Sequence, residues 1–73
     1  MATLRQLKKE AAKHGAELEI DKDFGCAEAW LPDGMQWGSS QAQCVVVSYG
    51  YTGKGVMADI YDDLIEHMQD GAS

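Results

Sequence analysis

Gly50-Tyr51-Thr52-Gly53-Lys54-Gly55 sets three glycines and a lysine between a valine-rich run and an amphipathic one. That is the strand, loop and helix order in which backbone amides and a lysine hold a phosphate. Aligned on Gly53-Lys54, a G-x-x-x-x-G-K-[ST] loop needs a glycine where Ser48 stands and a hydroxyl where Gly55 stands. The spacing of Gly50, Gly53 and Gly55 also reverses that of G-x-G-x-x-G, and no strand is expected after the helix to complete a βαβ unit. The stretch therefore reads as a strand-to-helix connection. Gly53, Lys54 and Gly55 remain a candidate anion site, because the first amides of a helix and a nearby lysine suit negative charge.

Other chemistry-bearing residues are sparse. His14 and His67 fall near helix ends, where a protonated ring complements the dipole, and read as surface or capping residues. Cys26 and Cys44 are the two cysteines, with no C-x-x-C spacing. They read first as small buried residues in a reducing compartment; a cross-strand disulfide and a zinc site shared with His14 and His67 are the alternatives. The Asp21-Lys22-Asp23-Phe24-Gly25 run fails as a calcium loop, since its sixth position is Cys26 and its twelfth Pro32. No catalytic residue, cofactor or metal ligand is assigned, and the expectation is a protein that is not an enzyme.

Two sets of side chains suit binding. Asp59, Asp62, Asp63 and Glu66 recur along one side of the second amphipathic segment with no neutralising lysine, a layout that costs a helix stability and suits a basic partner. Trp30, Trp37, Tyr49 and Tyr51 flank the Leu31-Pro32-Asp33-Gly34 turn and the glycine loop. Aromatics of this kind are either sheet packing or rigid anchors of a binding patch. Glu28 and Trp30 share one strand face while Ala27, Ala29 and Leu31 share the other, which favours Trp30 on an open face. Asp59, Asp62, Asp63, Glu66, Trp30 and Trp37 are the expected partner-binding residues.

The elements that must position them follow from periodicity. Leu4, Leu7 and Ala11 predict a helix over 4–14 with Thr3 as N-cap and Gly15 as C-cap. Ala16, Leu18 and Ile20 alternate with acids, and 26–31 resumes the alternation after a turn, so the pair predicts an antiparallel hairpin. Pro32-Asp33-Gly34 predicts a tight turn returning Met35–Trp37 as a short strand. Gln43–Tyr49 predicts a last, central strand, since its valine run suits burial on both faces. Val56, Met57, Ile60, Tyr61, Leu64, Ile65 and Met68 predict a helix from about 54 to 69, stopped by Gly71. The expected fold is α+β, α-β-β-β(-β)-α: one domain with a small antiparallel sheet and two helices packed on one face.

The chain has 73 residues, 45% hydrophobic and 25% charged, the composition of a folded domain. No apolar run is long enough to span a bilayer and the N-terminus lacks the apolar block of a signal peptide, so the expected location is cytoplasmic, away from membranes. The net charge of −6 is uneven: residues 1–15 carry four cations against one acid, the remainder two cations against eleven acids. An acidic body repels phosphate backbones, which argues against direct nucleic-acid binding and for a basic protein partner. The element order resembles that of double-stranded RNA-binding domains, but their lysine cluster is replaced here by Lys54 alone, followed by Asp59, Asp62 and Asp63.

With its amphipathic first helix, "LPDGMQWGSS" hairpin and "VSYGYTGKG" link, the whole chain resembles small uncharacterised phage and prophage proteins. That resemblance implies the cytoplasm of a bacterial host and an accessory or host-directed role. The leading expectation is a non-enzymatic protein-interaction module, a monomer or a homodimer through the open sheet face, with an inhibitor of a host nucleic-acid-handling or defence protein as one instance. The alternative is a small-ligand or anion-binding domain using the Gly50–Gly55 loop.

Overall fold

Thr3 and Gln6 fix the start of α1 (Leu4–His14). The Thr3 hydroxyl accepts from the Gln6 N–H at 3.2 Å and the Gln6 side-chain oxygen accepts from the Thr3 N–H at 2.8 Å. Two amides that a helix start leaves unpaired are thus satisfied reciprocally. At the other end Gly15 takes φ +70°. The N–H groups of Gly15 and Ala16 donate to the carbonyls of Ala12 and Ala11 at 3.2 and 2.9 Å, a Schellman closure that glycine enters without strain. The computed structural model describes residues 2–38, 41–53 and 55–72, the side chains of 71 and 72 set aside, and places α1 where its periodicity predicts it.

Three strands follow: β1 (Glu17–Asp21), β2 (Cys26–Trp30) and β3 (Cys44–Ser48), then α2 (Val56–Ala72). Both pairings are antiparallel and the sheet order is β1-β2-β3. The Asp21 carboxylate accepts from the N–H groups of Asp23 and Phe24, each at 3.0 Å, and so organises the β1–β2 turn. Gly25 closes that turn at φ +79°, and a β-carbon there would lie 1.9 Å from the Tyr51 carbonyl oxygen. The glycine is required twice, by its backbone angle and by the strand-to-helix link that crosses it.

The helices pack against each other and on one face of the sheet, α1 over β1 and α2 over β2 and β3. Leu7, Ala11, Ala27, Ala29, Val47, Ile60, Tyr61, Leu64 and Met68 form the core between them. Ala27 and Ala29 on β2 lie fully buried beneath the helices, where small side chains allow close approach. The fold is therefore α+β with the element order α-β-β-β-α.

Three expectations are corrected. Met35–Trp37 is not a strand: β2 already has β1 on one side and β3 on the other, leaving no edge for it. Instead the Met35 N–H donates to the Pro32 carbonyl at 3.1 Å, closing a turn with Asp33 and Gly34 at its centre, and Trp37 turns inward. β3 is an edge strand rather than the central one, with Val45 and Val47 toward the helices and Val46 50% exposed on the other face. Finally, α2 runs through Gly71, since a glycine in a helix costs only about 1 kcal/mol relative to alanine.

Candidate functional site

The face of the sheet away from the helices is built by alternation. Its residues are Glu17, Glu19 and Asp21 from β1, Cys26, Glu28 and Trp30 from β2, and Cys44, Val46 and Ser48 from β3. The register sets Glu17, Trp30 and Cys44 in one row, Glu19, Glu28 and Val46 in the next, and Asp21, Cys26 and Ser48 in the third. Trp30 is 40% exposed, and its indole N–H donates to a Glu28 carboxylate oxygen at 2.7 Å, which holds the ring in place. Beside it lies a hollow of about 450 Å³ whose lining includes Glu17, Glu19, Trp30, Asp33 and Gln43. Among the described residues no cation lies within 4.0 Å of Glu17, Glu19, Glu28 or Asp33. A flat indole beside carboxylates that have no ion-pair partner among the described residues suits a lysine or arginine side chain.

The expected partner-binding residues do not form one surface. Trp30 lies on the open face, as its strand parity predicts. Trp37 is 2% exposed and belongs to the core, which corrects its placement in an exposed patch. Its ring packs edge-on against His14 with centroids 5.1 Å apart, and its indole N–H donates to the Ala29 carbonyl at 3.3 Å. Asp59, Asp62, Asp63 and Glu66 lie on α2, across the sheet from Trp30. Asp62 helps line a depression with Gln6, Lys9 and Lys13 of α1, so it faces the basic helix. Asp63 accepts from the Tyr49 hydroxyl at 2.6 Å. This bond to a carboxylate, with burial and the charges of Asp63, Asp59 and Tyr51, pushes Tyr49 up to about 12. Asp59 and Glu66 are exposed.

Neither cysteine is deeply buried; both are half-buried on the open face. Cys44 sits opposite Trp30, four residues along β2 from Cys26, a separation of about 13 Å in extended chain. A disulfide needs the α-carbons within about 7 Å, so the thiols are free. Burial, with the charges of Glu28, Cys26 and Glu19, pushes the Cys44 thiol up and keeps it protonated at neutral pH. Zinc shared by Cys26, Cys44, His14 and His67 is not supported: among the described residues no three His, Cys, Asp or Glu side chains are gathered around a metal-sized site.

One buried polar cluster joins the helices. Glu10 receives a bond from His14 Nε2 at 2.9 Å and one from Gln69 Nε2 at 3.3 Å, with Lys13 Nζ at 3.6 Å. Burial alone would raise its pKa, but the bonds from His14 and Gln69 and the charges of Lys13 and His14 prevail and hold it below the usual carboxylate range. The cluster is a structural tie between α1 and α2.

At the glycine loop, the Val56 N–H donates to the Gly53 carbonyl at 3.1 Å and the Asp59 N–H to the Gly55 carbonyl at 3.2 Å. Asp59 already presents a carboxylate in the first turn of α2, which opposes an incoming anion. Lys54, the remaining member of the expected anion site, lies outside the described residues.

The residues that sequence reasoning left out of the site are Glu17, Glu19, Glu28 and Asp33. Their strand parity with Trp30 was readable, and only the β1–β2 register brings Glu17 and Glu19 alongside it. Among the described residues no helix is long and apolar enough to cross a membrane. Comparison of the chain with protein families, with curated proteins and with solved structures found no match.

Proposed function

We propose that the protein is a non-enzymatic interaction module that receives a basic partner protein on the open face of its sheet. The observation that carries this reading is the cross-strand pair Glu19 and Glu28, two carboxylates directly opposed without a cation within 4.0 Å among the described residues, one row from the exposed Trp30. Like charges opposed across strands cost about 0.2 to 1 kcal/mol. A bound lysine or arginine would relieve that cost, while Trp30 supplies the rigid anchor common in binding hot spots. A second copy stacked on the same face would add carboxylates to carboxylates, so the charge favours a different, basic protein. On the resemblance to phage and prophage proteins, that partner is a host protein that handles nucleic acid or acts in defence.

The experiment is affinity capture from a bacterial lysate with wild-type protein and a Glu19→Lys/Glu28→Lys variant. Recovery of a basic protein that falls with salt and is lost in the variant supports the proposal. Equal recovery by both, or recovery that salt does not change, refutes it.

A further inference from the structure

We propose that the basic partner, besides its contact with the open face, adds an extended basic segment to the free edge of β3; this rests on the basic-partner reading above and gives it a second point of contact. β3 has β2 on one side and, among the described residues, no strand on the other. The Gln43 carbonyl accepts from the Leu31 N–H at 2.8 Å and the Tyr49 N–H donates to the Gly25 carbonyl at 2.9 Å, which assigns residues 43, 45, 47 and 49 to the β2 side of the ladder. By alternation, the main-chain groups of Cys44, Val46 and Ser48 point away from the sheet. Such an edge is a template for another strand unless something covers or opposes it.

The flank of α2 above this edge is acidic. Asp63 bonds Tyr49, the residue that follows β3, and Asp59 acts on the same phenol; Glu66 is exposed on the outer face of the helix, two turns on from Asp59. The opposite flank is occupied by α1, through the Gln69 to Glu10 bond and through Ile65 and Asp62 beside Lys9 and Lys13. Below the edge, on the open face, stands Val46, 50% exposed and next to Glu28 in its row.

An added strand would therefore send alternate side chains up toward Asp59 and Asp63 and down beside Val46. The matching segment alternates lysine or arginine with an apolar residue. The acidic flank also argues against a second copy as the occupant, because β3-to-β3 pairing would bring two acidic flanks together. The other edge makes no such selection: its surroundings on β1 mix Lys8 and Lys22 with Asp21 and Asp23.

The test uses a synthetic peptide of alternating lysine and valine, titrated into the isotopically labelled protein. Saturable binding with slowed amide exchange at Cys44, Val46 and Ser48 is expected. Methylating the peptide nitrogens that face the protein should abolish binding, whereas methylating those facing outward should not, a contrast that leaves the protein's own folding untouched. Asp59→Lys should weaken binding about tenfold at low salt. Indifference to the position of methylation overturns the edge proposal. So do shifts confined to Trp30, Glu19 and Glu28, though these would leave the basic-partner reading standing. Absence of any peptide binding also overturns the edge proposal, and the lysate capture then decides the broader reading by itself.

Discussion

Glu19 and Glu28 are direct cross-strand partners on β1 and β2, their carboxylates on the open face of the sheet with no cation within 4.0 Å among the described residues. A sheet selected for stability alone would place opposite charges in such a pair. Glu19→Lys should therefore stabilise the domain by about 0.5 kcal/mol, a rise in melting temperature of roughly 2 to 4 °C for a chain of this size. Thermal denaturation at low salt checks this, and a fall in melting temperature would contradict the like-charge account.

The two tryptophans should separate stability from binding. Trp37 fills the core and its N–H is bonded to the Ala29 carbonyl, so Trp37→Ala should cost about 3 to 5 kcal/mol. That approaches the whole stability of a small domain. Trp30→Ala, on the open face, should cost about 1 kcal/mol or less. Urea unfolding of the two variants checks the contrast, and similar losses would place both rings in the same structural role.

Acid stability should depend on Glu10. Its folded pKa is depressed by His14, Gln69 and Lys13 against the effect of burial. The stabilisation is thus present above the unfolded carboxylate pKa and is lost as the pH falls through the lower folded value. Glu10→Gln should flatten the acid limb of a stability-against-pH curve and loosen the α1–α2 contact. An unchanged acid limb would show that the cluster contributes nothing to folding.

Alkaline stability should depend on Tyr49 in the opposite sense. Its phenol is pushed up to about 12, first by the bond to Asp63. The contribution is complete below the ordinary tyrosine value near 10 and is lost as the pH rises through the folded value. Tyr49→Phe should abolish that loss between about pH 10 and 12. The tyrosine ring resonances followed with pH report it directly, and titration of Tyr49 near 10 would remove the basis of the prediction.

How much of this was legible in the sequence differs by element. The 3.6-residue spacing of Leu4, Leu7 and Ala11, with Thr3 and Gly15 at its ends, specified α1 because capping and periodicity are local properties. Periodicity of two likewise assigned Trp30 and Glu28 to one strand face. It could not assign strand order, which depends on how the hairpins share β2, and so the valine run was placed at the centre instead of the edge. Trp37 was misplaced for a related reason: its inward turn depends on contacts with His14 on α1 and with Ala29 on β2, neither of which local periodicity reports. The acidic open face needed the register as well as the parity, since only the pairing of Glu17 with Trp30 and Glu19 with Glu28 makes it one surface.

The most direct test of that surface is the affinity of the folded protein for a short lysine oligomer, measured by calorimetry. Three forms are compared: wild type, Glu19→Lys/Glu28→Lys, and a turn variant, Asp23→Lys/Asp70→Lys, which makes the same change in net charge in the β1–β2 turn and in the last turn of α2, away from the open face. The account predicts a loss of about tenfold or more in the sheet variant and a much smaller loss in the turn variant. Equal losses in the two variants would contradict it, by showing that only the net charge of the molecule is read.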